Sequence, residues 1–308
     1  MRAVYLGTPE FAVPPLRALA QNHEVVGVFT KPDAVSGRGK KLRPNPVAQT
    51  ADELGIPVFK VDSMRTPEVA AKLAELAPQI AVVVAFGEII PEALLSVPEF
   101  GFVNVHASAL PRWRGAAPVQ RAILAGDEKA GVAIMRVEAG LDTGAYCKTT
   151  LTDVAEKGAE ELLAELSELG ASDLMDAIDE MARGELAWTE QDEALVTYAA
   201  KIEKPEVVLS PEASAAENLR RVQASSDSAP ARCVVCGRPV RIMKATAAGD
   251  GLAAGEVERT KKSLRLGCAE GSFKPLVVKP EGKREMELSA FLAGLPKDAP
   301  LVWEGVEL

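Results

Sequence analysis

The segment from Ile80 to Ala85 limits most strongly what this chain can fold into. Its six residues are all apolar, and four of them are β-branched. Such a run is typical of a strand that is buried on both faces of a parallel sheet. Further strand patterns lie at residues 2–6, 24–29, 57–59 and 102–105, and helical patterns lie at residues 14–20, 46–54, 66–76 and 91–95. Strands that alternate with helices at this spacing predict a doubly wound α/β sheet.

A doubly wound sheet often binds a dinucleotide, but the first strand–helix turn argues against that function here. The turn contains Gly7, which is followed by Thr8-Pro9-Glu10. The Gly-x-Gly-x-x-Gly pattern that lets the backbone approach a pyrophosphate is absent. We therefore expect no NAD or FAD site.

The second half of the chain has a different pattern. Residues 159–183 predict a long amphipathic helix, with Gly170 as a candidate break in its middle. Beyond about residue 208, a helical pattern is followed by short strands that are separated by Gly-rich turns, which is typical of a small β-barrel with an OB-like fold as one option. We predict a catalytic domain over residues 1–188, a linker over residues 189–207 and a C-terminal domain over residues 208–308.

The charge of the chain is unevenly distributed around a net charge of −9. Residues 152–193 contain 14 acidic and 2 basic residues, whereas residues 201–308 contain 17 basic and 15 acidic residues. Within residues 31–43, five basic residues accompany one acidic residue. An acidic protein can therefore still offer basic surfaces to a polyanion, although charge clusters often serve solubility alone.

Other features of the sequence favour a cytoplasmic protein without a metal site. We find no apolar run of about 18 residues, which a membrane span requires, and no signal-peptide pattern. The four cysteines do not form a disulfide framework for a chain of this size. Cys233-Val-Val-Cys236 supplies only two of the four ligands that a structural zinc site requires, so we expect two structural cysteines there.

Polar side chains follow the strand predicted at residues 102–105. The chain has two histidines, and because His23 lies in a turn, His106 is the only serious candidate for acid–base chemistry near neutral pH. Ligands of open α/β sheets bind beyond the carboxyl ends of the strands, where the loops at residues 86–91 and 104–115 are expected. We expect a third segment, residues 138–144, to leave its strand on the same side and to bring Asp142 close to Asn104 and His106.

These three side chains suit acyl transfer to an amine. A neutral imidazole accepts the amine proton, and an amide NH₂ stabilises the oxyanion that forms on the carbonyl group. A carboxylate orients the histidine and supports it electrostatically. A structural interpretation is also open, in which Asn104 caps a strand end, His106 is a satisfied loop histidine and Asp142 fixes a turn. Spacing alone slightly favours the structural interpretation.

Several motifs, which occur in order along the chain, resemble the 10-formyltetrahydrofolate-dependent formyltransferase family. They are Gly7-Thr-Pro-Glu-Phe11, Phe29-Thr-Lys-Pro-Asp33, Gly37-Arg-Gly-Lys-Lys41, Phe86-Gly-Glu-Ile-Ile-Pro91, Asn104-Val-His106, Ser108-Ala-Leu-Pro111, Arg112-Trp-Arg-Gly-Ala-Ala-Pro118, Gly140-Leu-Asp-Thr-Gly144 and Leu195-Val-Thr-Tyr-Ala199. The resemblance is dense up to about residue 150 and weak beyond about residue 210. It implies a Rossmann-like N-terminal domain that binds 10-formyltetrahydrofolate and an OB-like C-terminal domain that helps to hold tRNA.

The resemblance also implies a role for individual residues. The catalytic asparagine, histidine and aspartate of the family match Asn104, His106 and Asp142. The folate is expected to contact two segments, which consist of Phe86, Gly87, Glu88, Ile89, Ile90 and Pro91, and of Ser108, Ala109, Leu110 and Pro111. The family usually has leucine where this chain has Ala109, which shortens one expected contact.

The chain most resembles the family members that formylate initiator methionyl-tRNA for translation initiation. In those members an arginine that matches Arg38 recognises the end of the tRNA. We extend the expected tRNA contacts to the basic residues nearby in the loop and in the linker, which are Lys40, Lys41, Arg43, Lys201 and Lys204. We expect the protein to act as a monomer.

Three alternatives remain open from the sequence. A formyltransferase that acts on a small amine, such as glycinamide ribonucleotide or an amino sugar, is the nearest one, and a formyltetrahydrofolate hydrolase is another. The Gly37–Lys41 loop and the C-terminal domain argue against both. A non-catalytic tRNA- or folate-binding module is disfavoured by the intact set of Asn104, His106 and Asp142.

Overall fold

The computed structural model describes residues 1–36 and 41–306, with the backbone alone at residues 34–36 and 41–43. The chain divides into two compact units. Unit 1 comprises Met1–Pro118, Lys129–Asp153 and Leu163–Ala199, and unit 2 comprises Val119–Glu128, Val154–Leu162 and Ala200–Leu308. The segment that we predicted as a linker thus contributes residues 189–199 to unit 1 and residues 200–207 to unit 2.

A mixed sheet organises unit 1. The strands up to residue 199 are β1 (Arg2–Gly7), β2 (Glu24–Thr30), β3 (Ala34–Ser36), β4 (Lys41–Arg43), β5 (Val58–Lys60), β6 (Ile80–Val84), β7 (Phe102–His106), β8 (Arg114–Gly115), β9 (Lys129–Arg136), β10 (Tyr146–Asp153) and β11 (Tyr198–Ala199). Within the described residues, seven of them form one sheet in the order β10-β9-β7-β6-β1-β2-β5. The five strands from β7 to β5 pair in parallel, whereas β9 and β10 pair antiparallel.

Every residue of β6, the strand predicted from the apolar run, is buried. Because successive side chains point to opposite faces of the sheet, the burial of every residue means that both faces of β6 contribute to the core of unit 1. The α/β fold class predicted from this run and its flanking helices is confirmed.

Helices connect the strands. They are α1 (Val13–Asn22), α2 (Pro46–Glu53), α3 (Pro67–Leu76), α4 (Glu92–Leu95), α5 (Pro118–Ala125) and α6 (Ala159–Ala182), with short 3₁₀ helices at Glu10–Ala12 and Glu193–Leu195. The predicted start of α3 is confirmed in detail. The Thr66 side chain accepts a hydrogen bond from the Val69 N–H, and Pro67 occupies the first helical position, where a missing N–H costs nothing.

Gly170 does not interrupt α6, which continues through it. A Cβ atom at Gly170 would lie 2.6 Å from Val105 Cγ1 and 2.8 Å from Val132 Cγ2. The glycine therefore allows α6 to lie directly against β7 and β9. Because side chains alternate along a strand, Val105 faces α6 while Asn104 and His106 point to the opposite face of the sheet.

Unit 2 contains an antiparallel barrel. Its strands are β12 (Arg232–Val235), β13 (Arg238–Ala247), β14 (Val257–Arg259), β15 (Leu264–Gly267), β16 (Ser272–Pro280), β17 (Met286–Glu287) and β18 (Trp303–Glu304); its helices include α7 (Ala215–Ala224) and α8 (Leu288–Ala293). Among the described residues they follow the order β14-β15-β16-β13-β12-β18, with β17 beside β16. A hydrogen bond from the Val257 N–H to the Leu301 carbonyl brings the two edges together, so the sheet nearly closes. The predicted small β-barrel is confirmed.

The core of the barrel is apolar and includes three of the cysteines. Phe273 and Trp303 pack edge to face, with ring centroids 5.6 Å apart. Cys233, Cys236 and Cys268 are buried in this core, and the four cysteines of the chain, all of them described, are free. Burial raises the pKa of the Cys233 thiol well above its ordinary value. None of the described helices is both long enough and apolar enough to span a membrane.

We predict that Gly170→Ala destabilises the protein, although alanine is the better helix former by about 1 kcal/mol. The added methyl group overpacks the contact with Val105 and Val132, at a cost of roughly 1–3 kcal/mol. Thermal unfolding measures the change as a lower apparent Tm. In a Val132→Ala background the same substitution should cost less, since one of the two clashing side chains is shortened. A higher Tm for Gly170→Ala would contradict the close helix–sheet contact.

Candidate active site

Strand β7 carries two polar side chains to one edge of the sheet. Asn104 and His106 lie two residues apart and therefore on the same face. Because β6 and β7 are parallel neighbours, with Val83 opposite Asn104, the loops that follow them lie at the same edge. The Asn104 side chain is partly exposed, and its amide makes no hydrogen bond to the described part of the chain.

The His106 ring is 6% exposed and has a partner at each nitrogen. Its Nε2 lies 3.0 Å from the carbonyl oxygen of Trp113. A carbonyl oxygen only accepts hydrogen bonds, so Nε2 carries the hydrogen in this arrangement. Its Nδ1 lies 3.7 Å from Asp142 Oδ2, which is too long for a hydrogen bond but close enough for a direct charge interaction. In the neutral ring Nδ1 therefore carries a lone pair, and a proton accepted there is stabilised by the carboxylate.

Asp142 reaches His106 by a route that the sequence did not indicate. The expectation that residues 138–144 leave their strand on the same side as the other loops is wrong. Strand β9 runs antiparallel to β7, with Arg136 opposite Val103, so the segment leaves at the amino end of β7. It then folds back over the face of the sheet that carries Asn104 and His106. Asp142 has a left-handed φ of 53°, and its Oδ2 accepts a hydrogen bond of 2.8 Å from the Gly115 N–H.

Gly144 permits this return of the chain. A Cβ atom at this position would lie 2.0 Å from the carbonyl oxygen of Arg136. No side chain fits at that distance, so the turn at residues 138–144 depends on glycine here.

Four residues that support His106 and Asp142 were not predicted as site residues. They are Trp113, Arg114, Gln191 and Thr197. Gln191 is buried and bonded to the backbone of the Asp142 turn, and Thr197 Oγ1 accepts a hydrogen bond of 2.9 Å from the Trp113 N–H. Trp113, Arg114 and Thr197 lie within motifs of the sequence to which no role was assigned. The position of Gln191 in an irregular stretch gave no signal.

The side chains of the predicted folate segment at residues 86–91 differ in their burial. Phe86 and Ile90 are buried in the core, so contacts to a ligand would come from their backbone, whereas the Ile89 side chain is 57% exposed. Gly87 has a left-handed φ of 81° with open space around its Cα, and Pro91 lies directly before α4.

Glu88 fastens this segment to its neighbours. Its carboxylate pairs with Lys31 Nζ at 2.6 Å and accepts hydrogen bonds from Ser63 Oγ at 2.8 Å and the Met64 N–H at 3.0 Å. Burial raises the pKa of the Glu88 carboxyl, but these three donors together lower it more, and the pKa lies below its ordinary value.

The second predicted folate segment, residues 108–111, contains an unpaired polar atom. The Ser108 side chain is 3% exposed, and its Oγ has no hydrogen-bond partner among the described residues. Ala109 lies against β9, where a Cβ atom on Gly131 would be 2.9 Å from its own Cβ. Leu110 is buried beside Ala133 and Met135, and Pro111 follows a cis peptide bond.

The predicted tRNA contacts are only partly described. Arg38 and Lys40 lie outside the described residues, and Lys41 and Arg43 are described by the backbone of β4 alone. Lys201 and Lys204 are exposed residues of unit 2, and Lys204 begins a 3₁₀ helix at Lys204–Val207. Residues 1–36 and 41–306 contain no group of three or more His, Cys, Asp or Glu side chains that could hold a metal ion.

We predict that Glu88→Gln lowers stability near neutral pH and that this effect fades in acid. The depressed pKa means that the Glu88 carboxylate contributes stability above its unfolded pKa of about 4.3 and loses the contribution as pH falls through the folded pKa. Urea midpoints of both proteins between pH 7 and about pH 3.5 measure the difference. Glu75→Gln, which removes an exposed carboxylate next to Lys72, is the control and should change little. A difference that does not depend on pH would contradict a role for the Glu88 charge.

Known proteins match this chain over most of its length, in both its N-terminal and its C-terminal parts. The formyl transferase family matches residues 1–178, and the formyl transferase C-terminal domain matches residues 201–296. A methionyl-tRNA formyltransferase of Methylococcus capsulatus is 44% identical over 296 residues, which cover 95% of this chain and 96% of that protein. A protein of the same name from Cereibacter sphaeroides is 43% identical over 296 residues, covering 96% of both. The structure of HypX from Aquifex aeolicus in complex with tetrahydrofolic acid matches with a TM-score of 0.65 at 18% identity, over 100% of this chain and 50% of that one, which shows a shared fold.

Proposed function

We propose that this chain, which belongs to the formyl transferase family, transfers the formyl group of 10-formyltetrahydrofolate to the α-amino group of initiator methionyl-tRNA. The products are tetrahydrofolate and formylmethionyl-tRNA, which serves translation initiation. The observation that carries the proposal is the position of the His106 ring between the Trp113 carbonyl and the Asp142 carboxylate, on the same strand face as the Asn104 side chain. The substrate is proposed from the name of the two bacterial relatives, which match nearly the full length of the chain.

In this proposal Asn104 acts on the oxygen of the formyl group. The bound formyl-folate supplies an electrophilic carbon, and the oxygen on that carbon gains negative charge as the amine nitrogen bonds to it. The NH₂ group of Asn104 donates a hydrogen bond to this oxygen and so stabilises the charge. Because the amide makes no hydrogen bond within the described residues, no bond to the described part of the protein has to break first.

In this proposal His106 transfers the proton of the amine. As the new carbon–nitrogen bond forms, the amine must lose a proton, and the lone pair on Nδ1 accepts it. Asp142 then stabilises the imidazolium across 3.7 Å, while Nε2 keeps its bond to Trp113. When the bond between the formyl carbon and N10 of the folate breaks, His106 returns the proton to N10. The chain ends the cycle unchanged.

The residues at the edge of the sheet fit a folate co-substrate. Ser108 offers a buried hydroxyl group without a partner among the described residues, which a polar group of the ligand would satisfy. The backbone of residues 86–91 follows the neighbouring parallel strand at the same edge of the sheet, and the bonds of Glu88 to Ser63 and Met64 hold it in place. We propose that Phe86–Pro91 and Ser108–Pro111 hold the folate, and that Ala109 contributes the least because it faces β9. A cytoplasmic location and a monomeric state stay predictions.

We predict that Asn104→Ala, His106→Ala and Asp142→Ala each lower formylation strongly while the protein stays folded. Loss of an oxyanion donor costs about 10²–10³-fold in kcat, and loss of a general base costs about 10²–10⁴-fold. The assay combines 10-formyltetrahydrofolate with charged initiator tRNA, and uncharged tRNA, glycinamide ribonucleotide and an amino sugar test the substrate class.

His23→Ala is the matched control, because it removes the other histidine of the chain and should leave turnover unchanged. Near-normal turnover in purified Asn104→Ala and Asp142→Ala would refute the assigned roles. Formylation of a small amine in preference to charged tRNA would refute the substrate.

We further predict that joint substitution of Arg38, Lys40 and Lys41 by glutamine raises the KM for tRNA and reduces its salt dependence. Each lost phosphate contact lowers the slope of log affinity against log salt by roughly 0.7–0.9. The control substitutes Lys72, Lys129 and Arg183 by glutamine, three cations that pair with exposed carboxylates, and so changes the net charge equally. An unchanged salt slope in the loop variant would remove the loop from the tRNA contacts.

A further inference from the structure

We propose that Gln191 is a positioning residue for this reaction, which holds the Asp142 turn against His106 and is itself fixed by the buried Arg114. The inference rests on the proposed function for its kinetic meaning, and it concerns residues to which the preceding mechanism gives no task.

The amide of Gln191 is fully engaged. Its Nε2 donates to the backbone carbonyl of Asp142 at 2.8 Å and to that of Gly144 at 2.7 Å, and its Oε1 accepts from Arg114 Nε at 2.9 Å. Carbonyl groups only accept and a guanidinium group only donates, so a single orientation of the amide satisfies all three bonds. Gln191 thus bridges the two ends of the turn that contains the catalytic carboxylate.

The turn needs such a clamp. Asp142 has a left-handed φ of 53°, which is uncommon for a residue with a side chain and is unfavourable unless the surrounding structure holds it. The carboxylate itself has one backbone bond, from the Gly115 N–H, and that bond does not fix the backbone of the turn. The two bonds from Gln191 fix the backbone from which the carboxylate projects, and with it the distance to Nδ1.

The Gln191 side chain is itself held by its hydrogen bond from Arg114. The Arg114 side chain is fully buried at 1% exposure, and its guanidinium group pairs with Glu193 at 2.8 Å and 3.5 Å in addition to Gln191. A buried guanidinium group is costly unless its hydrogen bonds are made, so the position of Arg114 is strongly determined. Its Nε–H then fixes the plane of the Gln191 amide.

The same stretch of chain also sets the other partner of the His106 ring. Trp113, whose carbonyl accepts the Nε2 hydrogen, precedes Arg114 directly and donates its own N–H to Thr197 Oγ1. Both ring nitrogens of His106 therefore depend on residues 191–197. This arrangement sets which nitrogen carries the hydrogen and where the accepting lone pair points.

The kinetic test uses Gln191→Met, which keeps the length of the side chain and removes its donors and acceptor. A displacement of about 1 Å at a catalytic group costs up to roughly 10²-fold, so we expect kcat to fall about 10- to 100-fold while both KM values change by less than about 3-fold. Gln191→Glu keeps an acceptor for Arg114, removes the donors to the turn and should also lower kcat. Gln49→Met, the same substitution at an exposed position of α2, should leave kcat unchanged.

A double-mutant cycle separates positioning from a general structural effect. If Gln191 acts through Asp142, Gln191→Met should lower kcat by less than about 3-fold in an Asp142→Asn background. Independent effects that multiply, or a kcat for folded Gln191→Met and Gln191→Glu within about 2-fold of the parent, would overturn the proposal.

A spectroscopic measurement tests whether Gln191 positions the site without requiring an activity assay. Because the chain has two histidines, ¹⁵N NMR of the imidazole rings reports the tautomer of His106 beside that of His23. The parent should show the hydrogen of His106 on Nε2, because Trp113 accepts it there. The Gln191 variants should shift the resonance of Nδ1, which faces Asp142, while the signals of His23 stay unchanged. An unaltered His106 signal in both variants would also overturn the proposal. A parent protein that does not formylate methionyl-tRNA would refute the proposed function instead, and the NMR result would still decide the role of Gln191.

Discussion

The candidate active site in unit 1 is organised around the two contacts of one imidazole ring. His106 donates from Nε2 to a backbone carbonyl and faces a carboxylate with Nδ1, so its protonation chemistry is directed to one nitrogen. The groups concerned come from three separate parts of the sequence, at residues 102–115, 138–144 and 189–199. No local structure can bring them together, because they are joined only through the sheet and the loops that return over it. The sheet is thus as necessary to the chemistry as the side chains are.

The polar groups behind the ring illustrate why such a network is specific. Arg114 and Gln191 lie in surroundings where an unpaired donor or acceptor costs about 1–3 kcal/mol, and more for a charge. Each of these side chains makes several bonds, so moving any one group leaves others unsatisfied. A network of this kind contributes little net stability compared with apolar packing, but it strongly favours one geometry. A single favoured geometry keeps the distance between His106 Nδ1 and Asp142 Oδ2 at 3.7 Å.

The sequence predicted those features that follow from local patterns. The apolar run at Ile80–Ala85, the capped start of α3 at Thr66-Pro67 and the short strands of the barrel all depend on neighbouring residues, and each is confirmed. The direction of β9 was not predictable, because a strand pattern is the same in a parallel and an antiparallel pair. The tolerance of α6 for Gly170 was not predictable either, since its cause is the approach of Val105 and Val132 from another element. Gln191 escaped prediction because its three partners lie 47 to 77 residues away in the chain.

Two amide side chains differ in their hydrogen bonding as their proposed roles require. Gln191 uses its oxygen and both its hydrogens on the protein, and Asn104 uses none on the described residues. A donor that is meant to stabilise charge in a transition state should be free beforehand, because a bond already made in the ground state would have to be exchanged and would cancel part of the gain. A residue that fixes geometry should be the reverse, with each polar atom committed. The hydrogen-bond state of each amide therefore agrees with the role that we propose for it, acting on the substrate for Asn104 and holding the acting groups in place for Gln191.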